Sequence, residues 1–190
     1  MSQYSAGDRH IPVRPDLDQL KHQAKDLLKN LHAGDPAAVE EFRANHPKEI
    51  APADAILADA QFALARAYGL RSWPRLVQAC ELIDAIWRDD RDAVREMIGK
   101  HPNLLHENAR GTDKCNWGPP MSYAANLGRN EIIAFLAEMG ASDLEHALGR
   151  AMLQGKIDTA ELLHGLMGAP SPPDDALGGP AYTLSVSGTA

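Results

Sequence analysis

From Leu17 to Leu31 the apolar residues Leu17, Leu20, Ala24, Leu27, Leu28 and Leu31 return every three or four positions. That spacing gathers them on one stripe of an α-helix. Pro15-Asp16 opens the helix, and Gln19, at the third position after Asp16, completes a capping-box pattern. Gly34 stops it. Asp35-Pro36 then restarts the chain as N-cap and first-turn proline, for a helix over 37–45 that ends before His46-Pro47. A third helix is predicted from about Asp54 to Tyr68, with Ala55, Leu57, Ala58, Phe62, Ala65 and Ala67 as packing positions and Gly69 as C-cap. Ser72-Trp73-Pro74 opens a fourth, carrying Leu76, Val77, Cys80, Ile83 and Trp87. Residues 1–14 show no periodicity and read as a flexible arm. No run of β-branched residues alternates with period two, so no sheet is expected.

The helical pattern repeats. Laid over Ala85–Pro102 at one constant offset, the segment Asn30–Pro47 pairs Gly34 with Asp89, Val39 with Val94, and His46-Pro47 with His101-Pro102. Both copies read as helix end, tight turn, second helix and His-Pro, an internal duplication of a helix-turn-helix unit.

Farther on, Gly118-Pro119-Pro120-Met121-Ser122-Tyr123-Ala124-Ala125-Asn126-Leu127-Gly128 leads into Asn130-Glu131-Ile132-Ile133-Ala134-Phe135-Leu136 and Gly140-Ala141. This resembles the ankyrin repeat, G-x-T-P-L-H-x-A-A-x-x-G followed by a helix and G-A. Pro119 stands where Thr is usual and Ser122 where His is usual, so the side chains that normally bond that turn are replaced. The next unit runs from Ser142 and Glu145, a further capping-box pattern, through Ala151-Met152-Leu153-Gln154-Gly155 to Gly168-Ala169. Gly179-Pro180-Ala181-Tyr182 begins another, and its Gly188 follows Gly155 at the spacing of one ankyrin period. The chain stops at Ala190, which leaves that last repeat incomplete, to be finished by more chain or by another molecule. The segment 64–74 is similar to the helical extension that precedes ankyrin repeats in some bacterial proteins. The resemblance implies an all-α fold: an ankyrin-type helix-turn-helix solenoid over 81–190, preceded by an N-terminal helical extension over 15–80. It also implies a binding face made of finger loops and inner helices.

Composition narrows the function. Hydrophobic residues are 44% but aromatics only 5%, so the core must come from Leu, Ile, Val, Ala and Met, which suits thin helical layers. Residues 1–80 hold ten basic and ten acidic side chains, and 81–190 hold nine and sixteen, so the whole net charge of -7 sits in the second part. An acidic surface repels phosphate backbones, which argues against nucleic acid and weakly favours a protein with a basic patch. Cys80 and Cys115 form neither a disulfide framework nor a zinc spacing, and no signal peptide or long apolar run is visible. A cytoplasmic location is expected, with no membrane partner.

The interval from Asp89 to Gly128 is longer than the next one, from Gly128 to Gly155, so extra loop lies before Pro120. Within it Arg110, Asp113, Lys114, Asn116 and Trp117 combine charge, hydrogen bonding and one large aromatic, the side chains typical of interface hot spots. Tyr123, Asn126, Arg150 and Gln154 should lie on the inner helices and face a partner. Trp73 and Trp87 read as packing residues. The eight histidines are scattered without ligand spacing, and Cys115 has no base beside it in sequence. The expectation is therefore a non-catalytic protein-protein interaction module (scaffold, adaptor or inhibitor) with no metal or cofactor. The alternatives are a structural module orienting another domain of a longer polypeptide, and a small-ligand or enzymatic site at the 108–118 loop.

Overall fold

A computed structural model of the chain describes residues 9–112 and 117–168. Among the described residues there are nine α-helices, two 3-10 turns and no strand. The expected incomplete repeat after Gly168, together with Asp113, Lys114, Cys115 and Asn116, lies outside them. The chain divides into two compact units, residues 1–81 and 82–190.

In the first unit α1 (Leu17–His32), α2 (Pro36–Asn45) and α3 (Leu57–Ala67) pack on one another. The opening turn of α4 (Trp73–Trp87) joins them, and that helix runs on through the unit boundary. Asp16 caps α1, accepting from the Asp18 and Gln19 N–H groups at 2.9 and 3.1 Å. Asp35 caps α2 by accepting from Ala38 N–H at 2.9 Å. Two apolar clusters form. Leu20, Ala24, Leu64, Ala65, Leu70 and Leu76 make one, and Leu27, Leu31, Ala38, Phe42, Ala60 and Ala63 make the other.

Two expectations need correction here. The arm over 1–14 is not loose from Arg9 onward. Ile11 is fully buried in the first cluster, and Arg9 pairs with Glu41 at 3.0 Å and lies over the Tyr68 ring. One apolar residue between polar neighbours gives no periodic signal, yet it fills a socket between helices. The third helix starts at Leu57 and not at Asp54. A 3-10 turn, Pro52–Asp54, is followed by extended backbone at Ala55 and Ile56. The start is fixed by Asp59, whose carboxylate accepts the Ile56 N–H at 2.9 Å.

In the second unit α5 (Arg91–Lys100) follows the end of α4. Helices α6 (Pro120–Leu127) and α7 (Asn130–Glu138) form one hairpin; α8 (Leu144–Leu153) and α9 (Ile157–Leu166) form the next. Helix α8 packs on α6, α9 on α7, and α7 on α5, so hairpin lies against hairpin. Met121, Ala124, Ala125, Ile132, Ile133, Leu136, Ala147, Ala151 and Leu163 are fully buried between them. The alanines allow α6 and α8 to approach closely.

The duplication seen in sequence holds in the backbone. Helices α2 and α5 match end for end at the sequence offset, Pro36 with Arg91 and Asn45 with Lys100. Asp90 caps α5 through Ala93 N–H at 3.0 Å, as Asp35 caps α2. The turn before each closes with the same bonds: Asp35 N–H to Asn30 C=O in one copy, Asp90 N–H to Ala85 C=O in the other. The residue inside each turn has left-handed backbone, Gly34 at φ 70° and Asp89 at φ 59°. Asp is one of the few side-chain-bearing residues that enter this region readily.

Polar side chains also tie each hairpin of the second unit to the one before. Arg129, just after the Gly128 turn, donates to the C=O groups of Ile86 and Trp87 at the end of α4, at 3.2 and 2.5 Å. Thr159 of α9 donates to Asn130 Oδ1 of α7 at 2.6 Å. The expected Ser142–Glu145 capping box does not form; Asp143 takes the N-cap position of α8 and makes no side-chain cap on its own helix. It reaches back instead and accepts the Ser122 N–H at 3.1 Å, which caps the first turn of α6.

Candidate functional site

Helices α6 and α8 lie side by side, and residues from both meet around Trp117. Tyr123 is fully buried, with its ring centroid 4.7 Å from that of Trp117. Trp87 Nε1–H donates to the Tyr123 hydroxyl at 3.4 Å. Trp117 is half-buried. The Arg150 guanidinium sits 5.9 Å from the Trp117 ring centroid, within cation–π range. Asn126, one turn after Ser122 on α6, is buried; its amide N–H donates to Ser122 C=O at 2.8 Å. Its Oδ1 accepts both Nε–H and Nη2–H of Arg150, at 2.9 and 2.7 Å. The amide thus fixes the plane of the guanidinium and holds it beside the indole.

Of the residues expected to bind, the structure brings Trp117, Tyr123, Asn126 and Arg150 together, and it leaves Gln154 exposed at the end of α8. Tyr123 and Asn126 do not face outward. Both are buried because their polar atoms are satisfied inside, and their part is to support Trp117 and Arg150. Arg110 is also buried. Asp113, Lys114 and Asn116 lie outside the described residues.

A second cluster joins α6 to the start of α8. Ser122 Oγ lies 2.5 Å from Asp143 Oδ2 and 2.8 Å from His146 Nδ1. The hydroxyl has a single proton, which goes to the carboxylate, so Nδ1–H of His146 donates to Oγ. The carboxylate therefore bonds the serine and not the imidazole, and the fully buried Ser122 hydroxyl has already committed its proton. This order differs from a nucleophile–base–orienter array. Sequence alone presents Ser122 only as a replacement in a turn motif. Its partners sit on the next hairpin, and no local signal announces them.

Among the described residues no three His, Cys, Asp or Glu side chains are grouped to hold a metal ion. No described helix is long and apolar enough to cross a membrane. In the first unit a half-open groove of about 690 Å³ runs beside α1, lined by Arg9, Gln23, Asp26, Glu41 and Tyr68 among others.

Cys80 is buried in the first unit, and burial pushes its thiol up to about 12, with the Glu81 and Asp16 carboxylates adding to the rise. The thiol stays protonated in the fold where an unfolded chain would ionise it from about pH 9. The folded state then binds more protons, so stability falls as pH rises from about 9 to about 12. Urea unfolding across this window should show the wild type losing up to about 1.4 kcal/mol more per pH unit than Cys80→Ala. Parallel pH dependences of the two proteins would show that the thiol ionises alike in both states.

Compared with protein-family models, curated proteins and solved structures, the chain matches none of them.

Proposed function

We propose that this chain is a non-catalytic protein-binding module, an ankyrin-type stack of helix hairpins preceded by a helical extension. It acts in the cytoplasm as a scaffold, adaptor or inhibitor, without a cofactor. The observation that carries the reading is Trp117. It is half-buried, braced from below by the buried Tyr123 ring and from the side by an arginine whose plane Asn126 fixes. Large aromatics and arginines held in place before binding lose little freedom on contact, which is what makes an interface anchor strong. Gln154, one helical turn beyond Arg150, continues the same face of α8.

Trp117→Ala is expected to abolish capture of a specific protein from native lysate, with at least about a tenfold fall in recovery, the size of effect a hot-spot aromatic carries. Unchanged far-UV circular dichroism would place the loss at the surface. Equal recovery with wild type and variant would remove this face from the reading.

A second reading, a module that orients another domain, draws on one feature. Leu153, Ile157 and Leu166 of the α8–α9 hairpin are 62%, 47% and 40% exposed, an apolar face fit for a further layer.

A further inference from the structure

We infer that the protein partner anchors itself with a carboxylate, an aspartate or glutamate side chain bound by the end-on edge of Arg150 beside Trp117. The inference rests on the binding-face reading above and names the chemistry of its centre. A guanidinium has two forks of N–H donors. The side-on fork of Arg150, Nε with Nη2, is filled by Asn126 Oδ1. The end-on fork, Nη1 with the remaining Nη2 proton, carries no hydrogen bond among the described residues, and Nη1 is not sealed in the interior. That fork matches a carboxylate in two parallel bonds.

Among the described residues Arg150 lacks a counter-ion, as does Arg95 over the Phe135 ring, but of the two Arg150 alone has its plane fixed, by the hydrogen bonds to Asn126. Arg88, Arg91 and Arg129 each lie within reach of a carboxylate of the same unit, at 2.9, 3.8 and 3.7 Å. Arg150 has no such partner among the described residues, although its unit holds most of the acidic excess of the chain. Asp143, at the N-cap of the same helix, is turned onto Ser122. An oriented, unneutralised guanidinium against an indole is complementary to an anion, in a protein whose net charge points the other way. The net charge acts at long range, and the fork acts at contact.

Random linear peptides displayed on phage and selected on the full chain test this. The expected result is a family of peptides with one fixed Asp or Glu that require Trp117. Arg150→Gln should weaken a selected peptide about tenfold or more, acid-to-amide substitution in the peptide should do the same, and the two together should cost no more than either alone. Arg150→Lys, which keeps charge and stem but lacks the fork, should bind between the two. Peptides that need Trp117 but carry no fixed acid, or bind Arg150→Gln as well as wild type, would overturn the carboxylate anchor and leave the binding face standing. Failure to select any Trp117-dependent peptide would overturn both.

Discussion

Tyr123→Ala is expected to cost the second unit about 3–5 kcal/mol, the range for deleting a buried aromatic. Tyr123 is the largest of the fully buried side chains, in the middle of α6. Its removal leaves a cavity beneath Trp117 and deprives Trp87 Nε1–H of its acceptor. The neighbouring Ala124 and Ala125 are themselves fully buried and have no longer side chain with which to fill the space. Denaturant unfolding read by tryptophan fluorescence checks the loss through the midpoint. Tyr123→Phe keeps the ring and should cost well below Tyr123→Ala, about 1–2 kcal/mol, because it removes only the hydroxyl and its bonding. A Tyr123→Ala protein within about 1 kcal/mol of wild type would show the ring to be dispensable for packing.

Phe42→Ala should have a comparable effect, about 3–5 kcal/mol, on the first unit. Phe42 is 1% exposed at the centre of the second apolar cluster, between α1, α2 and α3. The His46 ring is stacked on it at 4.9 Å, and His46 in turn meets the Phe62 edge at 5.4 Å and Asp59 at 3.5 Å. Losing Phe42 therefore loosens the turn that ends α2 as well as the core. Amide hydrogen exchange would report it as faster exchange in α1, α2 and α3. Protection in those helices equal to wild type would show that the cluster holds without its aromatic.

The helices of both units are legible in sequence wherever their ends carry local chemistry. Asp16 and Asp35 stand at recognisable helix starts and both cap, and Asp90 caps at the position the duplication pairs with Asp35. The duplication is visible because it preserves turn residue, helix and His-Pro together. Features that depend on distant partners are not legible. Ile11 is buried in a cluster whose other members, Leu64 and Leu70 among them, lie far along the chain. Asp54 resembles a helix start, but the competing acid Asp59 places the start later. Asn126 reads as a surface residue from its polarity, and only the Ser122 carbonyl below it and Arg150 across from it make its burial tolerable. Trp117 and Arg150 belong to different hairpins in sequence, so their meeting is a product of α8 packing on α6.

The backward reach of Arg129, Asp143 and Thr159 gives the second unit a grammar of succession. Each hairpin carries the donor or acceptor that completes its predecessor, so α6–α7 and α8–α9 are not interchangeable modules. Transposing them would set Lys156 where Arg129 now bridges two carbonyls, and a single ammonium group cannot span both in the planar manner of a guanidinium. New layers can be grafted onto such a file only if they bring the matching word for the layer they follow.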